Sequence, residues 1–209
     1  MALTLAVLAF VPGGWLKLLG LLLSWALTFG AVTIPELFAY LSVSALFSVM
    51  DIAAVRQGVF RFSSPDFLGL PVWEYFMWGF YVLHSLRMLN GPLPRGSLWL
   101  ALALGILFAA PFVTLADPWM LLAASGAVLA LALAFFRERT DWFYLGYMIA
   151  VGTAIEYTGV WSGQWGYPGN PPGGVPLWFV TMWGGVGLFT RRLVVPLLYR
   201  DSSPMSGPA

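Results

Sequence analysis

The segment Asp51-Ile-Ala-Ala-Val-Arg-Gln-Gly58 has a related segment 105 residues further on, Glu156-Tyr-Thr-Gly-Val-Trp-Ser-Gly163. At the same offset, positions 51–79 align with 156–184 without a gap, and eight of these 29 positions are identical. Self-similarity at a fixed offset is the signature of a duplicated unit. The sequence therefore predicts an internal repeat.

The composition restricts the class of protein. The chain has 209 residues, of which 60% are hydrophobic and 9% charged, and its mean hydropathy is +0.83. A typical soluble domain has about 25% charged residues, so the sequence predicts a polytopic membrane protein. Ten Lys and Arg against nine Asp and Glu give no basic surface for nucleic acid. With no Cys and a single His, His84, we expect no metal site. No nucleotide motif is present, so we expect no cofactor.

Apolar runs long enough to cross a bilayer as helices, at about 20 residues each, divide the chain into about seven spans. They cover 15–33, 37–56, 72–89, 97–115, 119–136, 142–160 and 177–195. The predicted fold is all-α, with one membrane domain over 1–209. Repeat 1 covers about 15–90 and repeat 2 about 119–195, each with three helices. Helix 97–115 is the linker. Matching helices lie four spans apart, so the repeats are parallel.

Three further features concern the ends and the orientation of the chain. Residues 2–11 form an apolar segment too short to span, which we interpret as an interfacial or half-inserted helix. The Ser-, Pro- and Gly-rich tail at 200–209 is expected to be disordered. Seven Arg residues fall on one side of the predicted spans, against Lys17 and two Arg residues on the other. The positive-inside rule then predicts a multi-pass cell-membrane protein with its N-terminus outside and its C-terminus in the cytoplasm.

Three carboxylates lie within or at the ends of the predicted spans. Asp51 and Glu156 occupy matching places in the two repeats, and Glu74 begins the third span. A charge inside a bilayer costs about 2.5–3.5 kcal/mol on insertion scales, so such groups usually face a cavity or a partner. Two structural alternatives remain open: Glu74 could complement a helix dipole, and Asp51 could pair with Arg56 or Arg61. We predict Asp51, Glu74 and Glu156 as catalytic residues.

Aromatic side chains are abundant near the repeated motifs. Most of them are explained by core packing and by the aromatic belts of a membrane interface. Aromatic faces can also stabilise a cation, so we predict a substrate-binding wall beside the acids. The predicted wall consists of Tyr40, Trp73, Trp78, Tyr81, Trp161, Trp165, Trp178 and Trp183.

The first motif contains Asp51, Gly58, Phe60 and Phe62, followed by Gly69-Leu70-Pro71 and Glu74, and it resembles the membrane lycopene cyclases. The second contains Glu156, Gly159-Val160, Ser162-Gly163 and Gly166-Tyr167, followed by Val175-Pro176-Leu177 and Trp183, and it resembles the membrane carotenoid hydratases. Trp73 stands where the cyclase pattern has the first Glu of Pro-x-Glu-Glu, so only Glu74 matches that pair.

The resemblance implies an isomerase or lyase type of enzyme that acts on an isoprenoid or carotenoid taken from the bilayer. A carboxylic acid would protonate a terminal alkene or epoxide, and the resulting carbocation would close a ring. Which carboxyl is the acid and which is the base stays open. Hydration of the cation, by a carotenoid hydratase of the same superfamily, is an alternative. A small-solute transporter with three-one-three parallel repeats and a non-catalytic assembly factor are further alternatives.

Overall fold

The seven predicted apolar segments all form helices in the computed structural model, which describes residues 1–89 and 91–199. The tail predicted to be disordered, 200–209, lies outside the described residues. The helices are α1 Ala2–Phe10, α2 Gly14–Phe29, α3 Ile34–Arg56, α4 Glu74–Met88, α5 Leu98–Thr114, α6 Pro118–Phe135, α7 Arg139–Trp161, α8 Trp178–Phe189 and α9 Val195–Tyr199. A 3₁₀ turn covers Pro172–Gly174, and a π-helical turn, Thr190–Val194, joins α8 to α9.

Helices α3 and α7 begin with the same device. In α3, the backbone N–H of Thr33 donates to Glu36 Oε2 at 2.8 Å and the Thr33 hydroxyl accepts from the N–H of Glu36, which is a capping box. In α7, a capping box joins Glu138 and Asp141, with the Glu138 N–H donating to Asp141 Oδ2 at 3.0 Å. Both helices are 23 residues long. Asp51 and Glu156 are therefore carried to the same depth in the bundle.

Ion pairs fix the end of the bundle at which α3 and α7 begin. Arg87 of α4 pairs with Glu36 at 2.7 Å, and Arg192 of the π turn pairs with Asp141. The second pair is fully buried, whereas the Arg87 side chain is 36% exposed. Arg191 adds a contact to Glu138 at 2.8 Å. Asp141 precedes Glu156 by fifteen positions on α7, so this end of the bundle lies about 22 Å along the helix from Glu156.

The two long loops meet at the opposite end. Strand β1, Arg61–Phe62, pairs antiparallel with β2, Trp165–Gly166, and Arg61 stands opposite Gly166. These two positions are counterparts at the offset of 105, and a residue that pairs with its own counterpart lies on a local two-fold axis. The internal repeat stays a prediction, and the pairing of Arg61 with Gly166 agrees with its offset of 105 residues.

The outer surface of the helices is apolar, as in a membrane-embedded protein. Leu27, Ile34 and Trp99 are each at least 80% exposed, and a water-soluble surface of this size would need polar side chains there. Within the described residues, α3 and α6 are long and apolar enough to cross a bilayer, and α2 and α5 are shorter apolar helices. The all-α fold is thus observed, while the prediction of seven spans is met only in part, because among the described helices only α3 and α6 are both long and apolar enough.

The predicted interfacial segment, 2–11, forms helix α1. It packs against α2 and α7, and Leu8 is completely buried. This segment is therefore part of the bundle.

Candidate functional site

A small cavity of about 40 Å³ lies between α3, α4, α7 and α8, beneath the paired loops. Asp51, Glu74 and Glu156 all line it, and each is at least nine-tenths buried. The structure therefore brings the three predicted acids to one place. Its wall is completed by Phe60, Phe62, Trp78, Tyr81, Ile155, Trp165, Tyr167, Trp178, Met182 and Trp183. We call this space the carboxyl cavity.

Glu156 accepts three hydrogen bonds. Trp183 donates its indole N–H to Oε1 at 3.1 Å, Trp165 donates to Oε2 at 3.1 Å, and the Tyr167 hydroxyl donates to Oε2 at 2.7 Å. Burial, and then the negative charge of Glu156, raise the pKa of Tyr167 well above its usual value, so the phenol keeps its proton and remains a donor. Glu156 is thus held on both oxygens by donors from α8 and the second loop.

Asp51 and Glu74 both line the cavity. Trp78 of α4 donates its indole N–H to Asp51 Oδ2 at 2.7 Å. Asp51 is therefore held by an indole of the next long helix, as Glu156 is held by Trp183 of α8.

The second loop reaches the cavity because Gly159 leaves space for an indole. A Cβ atom at Gly159 would lie 2.0 Å from the Trp165 ring, so only glycine permits this approach. Gly163, with φ of 72°, turns the chain out of α7 towards β2 in a conformation that glycine adopts readily. β2 then places Trp165 beneath the paired loops, and Tyr167 follows two residues later on the same face.

The indoles present their edges to the carboxyls. Trp78 is stacked between Phe47, at 4.2 Å, and Trp183, at 4.9 Å, so both of its faces are covered. The Trp183 ring packs closely on Gly152, where a Cβ would lie 2.1 Å from it. These rings therefore serve the site through N–H groups, which hydrogen-bond to the carboxyl groups. The predicted role, in which aromatic faces stabilise a carbocation, does not fit them.

The predicted aromatic wall divides into three groups. Trp78, Tyr81, Trp165, Trp178 and Trp183 line the cavity. Trp73 lies behind it, with its ring 6.3 Å from that of Trp165. Tyr40 and Trp161 do not line it: the Tyr40 hydroxyl donates to the Phe76 carbonyl at 3.2 Å, and Trp161 is 76% exposed.

The cavity wall also contains four residues that were not predicted as site residues, namely Phe60, Phe62, Tyr167 and Met182. Phe60 and Phe62 alternate at period two, as Trp165 and Tyr167 do, and that alternation was the available signal for two short strands. Their partners could not be deduced from it, because strand pairing joins the two halves of the chain.

Within residues 1–89 and 91–199, no Lys, Arg or His side chain lines the carboxyl cavity. Lys17 donates to the Gln164 side chain and lies 5.6 Å from the centre of the Trp73 ring, and His84 is hydrogen-bonded to Tyr147 at 2.8 Å. In the same part of the chain, no group of three His, Cys, Asp or Glu residues could hold a metal ion.

Two larger spaces adjoin the carboxyl cavity. One, of about 540 Å³, lies between the second loop and the start of α6, and Tyr167 and Trp178 belong to both walls. The other, of about 220 Å³, lies between α3, α5 and α8, has an almost wholly apolar wall, and shares Met182 with the carboxyl cavity.

Comparison with known proteins gives a likeness of fold. No family model matches the sequence, and no curated protein matches it. The crystal structure of a cross-linked MvINS trimer has a TM-score of 0.70 at 15% identity, over 83% of this chain and 98% of that chain. The crystal structure of MvINS, an Insig homologue from Mycobacterium vanbaalenii, has a TM-score of 0.61 at 17% identity, over 80% and 97%.

These findings correct two predictions. The assignment to the lycopene cyclases and carotenoid hydratases is wrong, since two solved structures that share the fold, with TM-scores of 0.70 and 0.61, are those of an Insig homologue. The motifs behind it are short and rich in Gly, Pro and Trp, which recur in membrane loops for reasons of packing. The predicted function, cyclisation of an isoprenoid with hydration or transport as alternatives, depended on that assignment and is also wrong. A space of about 40 Å³ beside the acids is also too small for a ring-closing hydrocarbon end.

The chain is thus similar in fold to the mycobacterial Insig homologue MvINS, and at 15–17% identity this likeness shows the fold alone.

Proposed function

We propose that the protein is a multi-pass membrane protein that binds a lipophilic molecule whose head group donates hydrogen bonds in the carboxyl cavity. One observation carries the proposal. Carboxyl oxygens from α3, α4 and α7 converge on one buried space that, in the described part of the chain, contains no basic side chain. Carboxylates are acceptors, so the complementary head group is a donor.

The surroundings of the cavity favour a ligand with an apolar body. The head-group space holds little more than one water-sized group, whereas the adjoining spaces of about 540 and 220 Å³ are of the size of ligand pockets. The smaller of the two is bounded by Phe47, Phe108 and Phe189. A hydrocarbon chain attached to the head group would bury its surface there at about 25 cal/mol for each Å².

The membrane arrangement is part of the proposal. Helices α2 to α8 would cross or enter the bilayer alternately, as two parallel three-helix repeats joined by α5. The arginine-rich end of the bundle would lie in the cytoplasm and the carboxyl cavity towards the outer leaflet. Because the chain has no Cys, single cysteines at Ser64 and Leu93 test this directly. Only the first should react with an impermeant maleimide on intact cells, and the reverse result contradicts the orientation.

That the chain is an enzyme is a second candidate, favoured by the three carboxyl groups that line one buried cavity. A carboxyl group at such a place could exchange a proton with a bound molecule. Mass analysis of the bound lipid before and after incubation tests this. An unchanged lipid over many hours argues for binding alone.

Binding itself is tested with three probes that have the same tail: dodecanol, dodecylamine and dodecane. The purified protein in lipid nanodiscs carries its own reporters, since Trp78, Trp165 and Trp183 surround the site. We expect saturable changes in tryptophan fluorescence with the two probes that have a donor head group, and none with dodecane.

The variant Glu156→Gln should bind both donor probes more weakly than the wild type does. The NH₂ group of the new amide cannot accept hydrogen bonds from the three side chains that donate to Glu156, so the geometry of the site should change. Glu138→Gln, at the opposite end of the bundle, is the matched control and should bind as the wild type does. If dodecane binds as well as the other probes, or if no probe binds, the proposed function is wrong.

A further inference from the structure

Exposed positive charge is unbalanced at the end of the bundle where α7 begins. Arg95, Arg137 and Arg139 are exposed there, and in the described part of the chain none of them forms an ion pair with a carboxylate. We call these three side chains the arginine patch. At the opposite end the exposed charged side chains of the described residues balance one another, namely Arg56, Arg61, Asp66 and Asp117.

The carboxylates beside the arginine patch already serve other groups. Glu138 accepts a hydrogen bond from the backbone N–H of Arg95 at 2.7 Å, and it pairs with the buried guanidinium groups of Arg191 and Arg192. Asp141 pairs with Arg192 and lies 3.5 Å from the Nε atom of Arg191. That Nε atom is buried and has no hydrogen-bond partner within residues 1–89 and 91–199. The two carboxylates therefore have no capacity left for the patch.

Tertiary contacts bring the three patch side chains around one point. Arg137 and Arg139 are the chain neighbours of Glu138. The loop that carries Arg95 is held against the same residue, because Arg192 donates to the Arg95 carbonyl while Glu138 accepts from its N–H. Arginine carries its guanidinium group on a long apolar stem, so all three groups can reach one anion.

Exposed aromatic rings place the patch at the level of lipid head groups. Trp99, four positions after Arg95, is 80% exposed, and Trp142, three positions after Arg139, is 54% exposed. The Arg139 guanidinium lies 5.3 Å from the centre of the exposed Phe143 ring. Trp side chains concentrate where a membrane meets water, and an Arg stem lies along apolar surface with its charge in water. The anion that meets the patch is therefore part of a lipid.

From these observations we infer that the arginine patch binds the phosphate of an anionic phospholipid in the leaflet at this end of the bundle. Guanidinium groups match phosphate oxygens in geometry, and charge-assisted hydrogen bonds are stronger than neutral ones. Basic clusters beside membrane helices attract anionic head groups in the same way. The patch lies at the end of α7 remote from Glu156, so the inference does not depend on the ligand of the carboxyl cavity.

Binding to the purified protein in a non-ionic detergent tests the inference with three probes: dihexanoylphosphatidic acid, dihexanoylphosphatidylcholine and inorganic phosphate. Thermal unfolding at increasing probe concentration gives the affinity, because a molecule that binds the folded chain raises its Tm. We expect saturable binding of phosphatidic acid and none of the zwitterionic choline lipid. Inorganic phosphate should bind at least about tenfold more weakly, since it has no acyl chains to contact the exposed apolar surface.

Salt should weaken the binding of phosphatidic acid. The patch is exposed, and the Debye length falls from about 10 Å at 0.1 M to about 3 Å at 1 M ionic strength. Affinity that does not change with salt would contradict a charge-based site.

The triple variant Arg95→Gln, Arg137→Gln and Arg139→Gln should bind phosphatidic acid about a hundredfold more weakly, at a factor of about five for each Arg near anionic lipid. The matched control, Arg56→Gln with Arg61→Gln at the opposite end, should bind as the wild type does.

Three results would overturn the inference. The first is equal affinity for the choline lipid and phosphatidic acid, and the second is unchanged binding by the triple variant. The third is equal affinity for inorganic phosphate, which would mean a site for free anions. The comparison of probes on the wild type decides the first and third even if a variant does not fold.

Discussion

Trp78 and Trp183 stack on one another with ring centroids 4.9 Å apart, yet their indole N–H groups serve different carboxyls. Trp78 donates to Asp51 and Trp183 to Glu156. The two tryptophans are counterparts at the 105-residue offset, so the stack joins the two halves of the chain at equivalent places. It also holds the two acids on either side of one cavity, and several consequences of this arrangement can be measured.

Replacing Trp183 by Phe keeps a ring in the stack but removes one of the three donors to Glu156. Losing a hydrogen bond to a buried carboxyl costs about 1–3 kcal/mol, so we expect the unfolding free energy in detergent to fall by that amount. Trp161→Phe is the control, because Trp161 is 76% exposed and outside the site. Equal stability of the two variants would contradict the role given to the indole N–H.

A methyl group at Gly159 should displace Trp165 from the cavity. The added Cβ would lie 2.0 Å from the indole, so Gly159→Ala should weaken binding of dodecanol and dodecylamine and shift the tryptophan emission. The control is Gly146→Ala, because Gly146 lies on the same helix and a Cβ atom there would have no neighbour within 4 Å. That control should bind normally and gain up to about 1 kcal/mol of helix stability. Normal binding by Gly159→Ala would mean that Trp165 is dispensable.

The buried ion pair should matter more than its exposed counterpart. Removing one partner of a buried pair costs about 3–5 kcal/mol, so Arg192→Gln should destabilise the protein by about that amount. Arg87→Gln, at the matching position, should cost less because its side chain is 36% exposed. In the double variant Arg192→Gln with Asp141→Asn, part of the loss should be recovered. Chemical unfolding measures all three variants, and equal costs for Arg87 and Arg192 would contradict the difference.

Glu138 should make stability depend on pH. Burial raises the pKa of its carboxyl. The hydrogen bond from the Arg95 backbone N–H and the charges of Arg192 and Arg191 lower that pKa by a larger amount, so the folded-state pKa lies below its usual value. A lowered folded-state pKa stabilises the protein above the unfolded-state value of about 4.3. That contribution is lost as the pH falls through the folded-state pKa.

Thermal unfolding between about pH 7 and pH 3 should therefore show a steeper loss of stability in the wild type than in Glu138→Gln. Above the unfolded-state pKa, the difference between the two proteins should be constant. If the difference in stability between the two proteins does not change at acid pH, the ionisation of Glu138 does not contribute to the pH dependence of folding.

Much of the fold could be predicted from the sequence. The apolar runs and their breaks at Gly, Pro and charge place α2 to α8 within a few residues, because helix length and chain breaks are local properties. The three acids that line the cavity were also predicted, since Asp51 and Glu156 recur at one offset and carboxylates in apolar helices need a common environment. The family assignment failed, because short motifs of Gly, Pro and Trp carry little information about the fold as a whole.

Local features of the sequence were enough to predict a helical membrane protein with acids at matching places in its two halves. The folded chain was needed to learn that the indoles face the carboxyls with their edges, that Tyr167 belongs to the site, and that Trp161 does not. A side chain's direction across the bundle depends on helix packing and on the β1–β2 pairing, and both join residues about 105 positions apart. Composition and local periodicity carry no information about contacts between residues so far apart in the chain.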